Sequence, residues 1–177
     1  MRKLKVTELN RLDVEQFKAS VKTPLAVVLD DVRSMHNVGS VFRTADAFRA
    51  ALVCLCGITS CPPQAEIHKT ALGAEDSVEW KHYGSAMEAV QELHAAGFEV
   101  YALEQVEGSV SLNDFVPENG KKYAIVLGNE VKGVAQEVVD ACDGALEIPQ
   151  FGTKHSLNVS VSGGIAIWHF AKSLLGL

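Results

Sequence analysis

The fold is decided by the stretch from Ile148 to Ile165, which reads IPQFGTKHSLNVSVSGGI. We expect a helix over residues 157–175, yet its first turns carry asparagine, serine and two glycines, which are poor helix formers. Each interior glycine costs about 1 kcal/mol relative to alanine, so tertiary contacts must offset the loss. The stretch therefore predicts close backbone packing against another segment or subunit, with Ser156 and Asn158 beside whatever the loop encloses.

Strand-like and helix-like segments alternate along the rest of the chain. Apolar runs rich in β-branched residues predict strands, and apolar residues at helical spacing predict helices. The alternation predicts an α/β fold with a mostly parallel sheet and helices on both faces. The expected strands are 25–32, 51–58, 77–83, 98–103, 123–127 and 145–148, and the expected helices are 38–48, 85–96, 134–142 and 157–175.

Length and charge suggest one folded domain with a short basic extension. A chain of 177 residues with 47% hydrophobic content fits a single domain, which we place at 23–177. We expect residues 1–22 to form a basic N-terminal arm or helix, with residues 1–20 outside the core; the arm has six basic and three acidic residues, a balance of +3. Because the whole chain carries −6, the remainder carries −9. A basic arm on an acidic body suits an anionic partner at one end, although a solvated terminal helix is the simpler interpretation of charge alone.

Several classes of protein are disfavoured by what the sequence lacks. It has no run near the roughly 20 apolar residues of a membrane span and no apolar signal core, so we expect a cytoplasmic protein. Glycine-rich dinucleotide and P-loop motifs are absent too. A zinc site of Cys54, Cys56 and Cys61 with His68 is conceivable, but the spacing matches no common zinc pattern. We expect no metal.

The loop after the first strand carries a polar and basic cluster. Asn37 is placed to cap the following helix, and Gly39 allows a backbone or phosphate to approach closely. Arg43 lies one turn further on, away from the apolar stripe. A helix N-terminus with a guanidinium one turn in suits a phosphate, whereas a capped helix with a surface arginine is the plainer alternative.

A second unusual loop follows the expected strand 123–127. Gly128 and Gly133 flank a lone carboxylate, Glu130. Gly128 allows a flat or bulky ligand to approach, and Glu130 could accept hydrogen bonds from a cationic or hydroxyl-bearing partner. A plain turn with a solvated glutamate explains this loop equally well when it is taken alone.

Together, the three loops match three motifs in the same order. N-x-G-x-x-x-R-T-A is matched by residues 37–45, L-G-x-E-x-x-G by 127–133, and I-P-x-x-G-x-x-x-S-L-N-V-S-V-x-x-G-I by 148–165. On these motifs the chain resembles the SpoU (TrmH-type) RNA 2'-O-ribose methyltransferases of the SPOUT superfamily, over residues 24–175. One departure is Gln150, where the family often has methionine.

The resemblance implies a fold, a cofactor and a set of site residues. It implies the SPOUT fold with a deep C-terminal trefoil knot, a homodimer with its site near the interface, and S-adenosyl-L-methionine as cofactor. Arg43 would be the central catalytic residue, held by Asn37. The remaining catalytic positions implied are Glu130, Ser156 and Asn158, and the cofactor-binding positions implied are Leu103, Gly128, Ile148 and Leu157.

The implied reaction is attack of a ribose 2'-hydroxyl on a sulfonium methyl group, so the protein must align the atoms and manage one proton. Because a guanidinium is permanently charged, we expect Arg43 to clamp an RNA phosphate and stabilise negative charge rather than act as a base. Transfer RNA is the first substrate expected and ribosomal RNA the second. Two alternatives stay open, a non-catalytic RNA-binding or assembly protein on the same fold and a SPOUT enzyme that methylates a base nitrogen.

Overall fold

Seven strands form one sheet in a computed structural model, which describes residues 1–177 apart from the side chain of Val6. Their order across the sheet is β3-β2-β1-β6-β4-β7-β5, and all six pairings are parallel. The predicted parallel α/β sheet is therefore confirmed, and the carboxyl ends of all strands meet at one edge. The strands are β1 Thr23–Asp30, β2 Ala50–Cys56, β3 Trp80–Tyr83, β4 Phe98–Leu103, β5 Val110–Ser111, β6 Lys122–Leu127 and β7 Gly144–Glu147.

Helices cover both faces of this sheet. They are α1 Val14–Ala19, α2 Met35–Ala47, α3 Ala65–Ala71, α4 Ala74–Ser77, α5 Ala86–Ala95, α6 Gln136–Ala141 and α7 Val159–Leu174, with a 3-10 turn at Val6–Glu8. Side chains alternate across a strand. Leu25 and Val27 of β1 accordingly belong to the core under α2 and α7, whereas Ala26 and Val28 belong to the core under α5 and α6. No helix of the described residues is long and apolar enough to cross a bilayer.

The basic arm is more closely attached than the sequence predicts. Phe17 of α1 is only 5% exposed and joins the core under α2, so the expectation that residues 1–20 lie outside the core is wrong at this position. The Lys22 ammonium donates to the Phe17, Lys18 and Ser20 carbonyls, which closes the C-terminal end of α1. Arg2 pairs with Glu8 at 2.9 Å. Two of the six basic groups of the arm are thus engaged within it.

Element boundaries differ from the predictions where side chains compete for backbone donors. Helix α2 is capped by Ser34, whose hydroxyl accepts from the Asn37 N–H, so the prediction that Asn37 caps it is wrong. Helix α7 starts at Val159 rather than at residue 157, because Asn158 is its N-cap. Helix α6 starts at Gln136 rather than at residue 134. The backbone N–H groups of the two preceding residues donate instead to the carboxylates of Glu104, which follows β4, and Asp30, at the end of β1.

Gly39 determines how closely α2 packs on α3. A β-carbon at this position would overlap the Ile67 carbonyl oxygen and the Thr70 hydroxyl. The approach that this glycine permits is therefore that of the α3 backbone. Replacing Gly39 with alanine should lower the free energy of unfolding by about 1–3 kcal/mol, the usual cost of overpacking. Urea denaturation measures this, with Gly152→Ala as the control, since a β-carbon there meets nothing within 4 Å. Equal stability of the two variants would contradict the packing argument.

Candidate functional site

The loops at the carboxyl edge of the sheet enclose a cleft of about 530 Å³. This is where parallel sheets commonly bind ligands. Loops that follow β4, β6 and β7 supply its walls, which combine aliphatic side chains, backbone and the carboxylates of Glu104, Glu130 and Glu147. Seven of the nine predicted site residues line it, namely Leu103, Gly128, Glu130, Ile148, Ser156, Leu157 and Asn158. Apolar walls with several carboxylates suit a flat ligand that carries positive charge.

Glu130 ties the loop after β6 to the start of α2. Its Oε2 accepts from the Arg33 N–H at 3.0 Å, and its Oε1 accepts from the Ser34 N–H at 2.9 Å. The Asn37 side-chain amide also donates to Oε1, at 3.0 Å. A carboxylate at this place satisfies N–H groups that a helix start leaves without intrahelical partners, and its charge suits the helix dipole.

These hydrogen bonds decide the ionisation of Glu130. Burial alone would raise the pKa of its carboxyl, but the Arg33 and Ser34 N–H groups and the Asn37 amide outweigh burial and hold the pKa below its ordinary value. The group is therefore an anion at neutral pH with both oxygens engaged. Such a carboxylate is a good anchor and a weak base.

Asn37 and Asn158 continue the connection to the loop after β7. The Asn158 Nδ2 donates to the Asn37 Oδ1 at 3.2 Å, and the Asn158 Oδ1 accepts from the Ser160 N–H at 2.9 Å. Both amides have only one possible orientation, because a carboxylate can only accept at one end and a backbone N–H can only donate at the other. The chain Glu130–Asn37–Asn158 thus joins all three motif-bearing loops.

Gly128 lies where two segments of backbone are in direct contact. A β-carbon there would overlap the backbone of Gly133 and Val134, so no side chain fits. The intervening turn is held by Asn129, whose Oδ1 accepts from the Val131 and Lys132 N–H groups at 2.9 and 3.1 Å. The turn closes through a pair of backbone hydrogen bonds between Asn129 and Gly133.

Two residues of this region were missed by the sequence interpretation. Asn129 fixes the turn and also donates to the Asp31 carbonyl at 2.7 Å. Asparagine is a common turn residue because its side chain can accept from the backbone N–H two residues on, so this signal was available. Glu104 accepts from the Val134 N–H at 3.0 Å and holds the far end of the same loop against β4. Nothing in its local sequence points to that contact.

Arg43 and Ser156 are placed differently from the other predicted residues. Arg43 projects from the exposed side of α2, does not line the cleft, and makes no hydrogen bond or ion pair to any residue the structure describes. The Asn37 side chain is occupied by Glu130 and Asn158, so it does not hold Arg43 as the resemblance implied. Ser156 lines the cleft and is exposed, which leaves its hydroxyl available to a ligand.

The cysteines belong to the packing of the sheet. Cys54 and Cys56 are buried on the same face of β2. Burial raises the pKa of the Cys54 thiol to about 12, so it stays protonated at neutral pH. Within the described part of the chain, no group of three or more histidine, cysteine, aspartate or glutamate side chains is arranged to hold a metal ion.

Comparisons with known proteins identify one family. The family model described as the SpoU rRNA Methylase family matches residues 24–168. The chain is 30% identical over 168 residues to a 23S rRNA (guanosine-2'-O-)-methyltransferase RlmB of Vibrio parahaemolyticus, covering 95% of this chain and 67% of that protein. It spans about two thirds of the length of that relative.

Solved structures agree with the family match. An AdoMet-bound rRNA methyltransferase from Sinorhizobium meliloti superimposes with a TM-score of 0.78 at 28% identity, over 86% of this chain and 57% of that one. A TrmH/SpoU tRNA modifying enzyme from A. aeolicus superimposes with a TM-score of 0.76 at 26% identity, over 86% of this chain and 76% of that one.

Proposed function

Because the chain belongs to the SpoU rRNA methylase family, we propose that it transfers a methyl group from S-adenosylmethionine to a ribose 2'-hydroxyl of RNA. The observation that carries the proposal is the cleft in which residues of the second and third motifs meet, tied to the first motif through Glu130, Asn37 and Asn158. An RNA substrate would place the protein in the cytoplasm.

The cleft fits the proposed cofactor. Its volume lies within the range of small-molecule sites, about 300–1,000 Å³. Leu103, Ile148 and Leu157 offer apolar contact for a flat ring, and Gly128 leaves backbone accessible. Carboxylates face a ligand that would carry a positive sulfur and an ammonium group. When bound, S-adenosylmethionine supplies an electrophilic methyl group whose sulfur departs with the carbon–sulfur bonding electrons.

The residues of the chain must align the hydroxyl and dispose of its proton. Glu130 is engaged by three N–H donors, so we assign it a positioning role for the cleft loop rather than the role of base. Asn158 carries that positioning on to the start of α7, beside Ser156, whose free hydroxyl is placed to contact the ribose. Arg43 would clamp a phosphate and stabilise negative charge as the hydroxyl oxygen attacks the methyl group and its proton passes to solvent at the exposed mouth of the cleft.

We further propose that the C-terminal region forms the deep trefoil knot implied by the family. Two observations support it. Segments after β4, β6 and β7 meet around one cleft, with Gln105 donating to the His155 carbonyl at 2.9 Å. The C-terminal helix α7 also packs closely on β6, since a β-carbon at Gly163 would lie 2.7 Å from the Leu127 Cδ1, which suits chain crossing chain. True knots are rare, so alternating strands and helices could not have indicated one.

A homodimer through α7 is the assembly that we propose. Val161, Ile165 and Trp168 are exposed at helical spacing on one face of α7. A second copy of the chain on this face would bury them and lie close to α2, which packs against α7. Ile165→Asp should therefore shift the protein to monomer in light scattering. Val116→Asp, at an exposed valine outside the helix, should leave the mass unchanged. A dimer that persists in Ile165→Asp would contradict this interface.

Ribosomal RNA is the substrate that we now place first, with transfer RNA second. This reverses the order expected from sequence, because the relative compared above is named a 23S rRNA (guanosine-2'-O-)-methyltransferase. Transfer RNA stays the second candidate because a structural neighbour is a tRNA modifying enzyme. Mapping ribose methylation in total RNA with and without the gene decides between them, and mass spectrometry of the product nucleosides would reveal methylation of a base nitrogen.

Titration with S-adenosylmethionine by calorimetry tests the proposal as a whole. We expect binding at one site per chain, together with transfer of labelled methyl groups into RNA from cells that lack the gene. Binding without transfer into any cellular RNA would favour the assembly-protein alternative. Absence of cofactor binding would overturn the proposed activity.

A further inference from the structure

Two adjacent residues just after β4, Glu104 and Gln105, contact both neighbouring walls of the cofactor cleft. Strand β4 lies between β6 and β7 in the sheet, so the chain that follows it enters the cleft between the loops after those two strands. Both residues line the cleft. The reaction as described above gives neither of them a role.

Glu104 is anchored to one wall by its backbone and to the other by its carboxylate. Its N–H donates to the Leu146 carbonyl of β7 at 3.0 Å, which extends the contact of β4 with β7 beyond the strand end. Its Oε2 accepts from the N–H of Val134, in the loop after β6, at 3.0 Å, and its Oε1 accepts from the Gln105 N–H at 2.9 Å. Each carboxylate oxygen is thus engaged by a backbone donor, which fixes the direction of the side chain.

The Glu104 carboxylate also supports the backbone of the cleft wall from behind. A β-carbon at Gly133 would overlap the Glu104 Oε2, and a β-carbon at Gly128 would overlap the backbone of Gly133 and Val134. The carboxylate, this backbone and Gly128 are therefore stacked in direct contact. Because packed atoms leave little room to yield, a displaced carboxylate would also displace Gly128, a position implied to bind the cofactor.

Gln105 holds the opposite wall, the loop after β7. Its Nε2 donates to the His155 carbonyl at 2.9 Å. Residues 149–157 are all exposed, and among the described residues this is the one hydrogen bond that joins them to another segment. His155 directly precedes Ser156 and Leu157, which line the cleft. The position of this wall therefore depends on the Gln105 side chain.

We infer that Glu104 and Gln105 are the positioning residues of the cofactor side of the site, and that they set the affinity for S-adenosylmethionine without taking part in methyl transfer. The inference rests on the proposed function. Walls held in place before binding lower the cost of ordering them around a ligand. Glu130, Asn37 and Asn158 instead connect the starts of α2 and α7. The two networks share no residue, so cofactor affinity and the rate of methyl transfer should be separable.

Calorimetric titration of the full chain with S-adenosylmethionine and with its demethylated product, S-adenosylhomocysteine, tests the inference. In Glu104→Gln the new NH₂ group must face either the Val134 N–H or the Gln105 N–H. We expect the affinity for both ligands to fall by a similar factor, about tenfold. Single-turnover methyl transfer at saturating S-adenosylmethionine should stay within about twofold of wild type. Glu107→Gln removes the same charge from an exposed residue with no side-chain hydrogen bond among those described, and it should change neither quantity.

Gln105→Ala tests the second contact and should fold normally, because Gln105 is exposed. We expect it to weaken both ligands about threefold or more, with the saturated rate unchanged. The matched control is Gln91→Ala, at an exposed glutamine of α5 with no side-chain hydrogen bond among the described residues, which should weaken neither.

Three results would overturn the inference. The first is unchanged affinity in both cleft variants, and the second is a rate at saturating cofactor that falls as far as the affinity does. The third is a loss confined to S-adenosylmethionine, which would favour direct contact between the Glu104 carboxylate and the sulfonium. A wild-type chain that binds neither ligand would overturn the proposed function instead.

Discussion

Replacing Glu130 with glutamine should lower methyl transfer about 100-fold, the scale of loss when reacting groups are displaced by about 1 Å. The carboxylate accepts from two backbone N–H groups and one side-chain amide. A glutamine has one oxygen, so its own NH₂ must face at least one of these donors. The repulsion between this NH₂ group and the facing donor would move the loop after β6 away from the start of α2. The cleft, which this loop lines, would be disturbed as a result.

The Glu130→Gln variant should also be less stable than wild type. We expect a loss of about 1–2 kcal/mol in the free energy of unfolding, less than for a fully buried group because the contacts are partly solvated. The matched control is Glu107→Gln, an exposed glutamate with no hydrogen bond among the described residues. Activity in Glu130→Gln within a few-fold of wild type would show that the carboxylate does not hold the site together.

The difference in stability between wild type and Glu130→Gln should depend on pH. The folded state lowers the pKa of Glu130 below its ordinary value of 4.5, so its contribution to stability is complete above that value. The contribution is lost as the pH falls further, through the lower pKa of the folded state. The difference in unfolding free energy between wild type and Glu130→Gln should therefore shrink with acidification below about pH 4.5. A constant difference down to pH 3 would contradict the assignment.

The sequence predicts those parts of the site that depend on position relative to a strand. Glu130, Ser156 and Asn158 follow the ends of β6 and β7, and parallel strands bring such loops to one edge. The same logic gives the sheet and its two helical layers. Short elements escape it, since α3 buries only Ile67 and Ala71 and offers too few apolar positions to show a helical period.

Contacts between distant segments could not be predicted in this way. Asn37 looks like a helix cap, yet its partners Glu130 and Asn158 lie 93 and 121 residues away. The true cap is Ser34, three residues before Asn37. Serine and asparagine are both favoured N-cap residues, so the local sequence did not decide between them. Gly39 shows the same limit, because the sequence indicates that something approaches closely but not that it is the α3 backbone.

Replacing Arg43 with alanine should lower the rate of methyl transfer about 100- to 1,000-fold, as expected for loss of a group that stabilises developing charge. Arg43→Lys should show a large part of the same decrease in rate, because a lysine keeps the charge but cannot form the paired hydrogen bonds of a guanidinium. Cofactor affinity should not change in either variant, since Arg43 does not line the cleft. Single-turnover kinetics and calorimetry measure the two quantities separately.

The lysine variant distinguishes the two roles considered for Arg43. A phosphate clamp predicts that Arg43→Lys loses rate equally at every pH and that RNA binding weakens with it. A base predicts a pH–rate profile whose limb moves with the substituted group. Arg11→Lys, which makes the same exchange in the N-terminal arm, controls for the loss of a guanidinium elsewhere. Near-full activity in Arg43→Lys would rule out the paired clamp, and a displaced limb would identify Arg43 as the proton acceptor. A flat profile with a large loss is the result expected for an exposed guanidinium on α2 that no described residue engages, since it remains available to the RNA backbone.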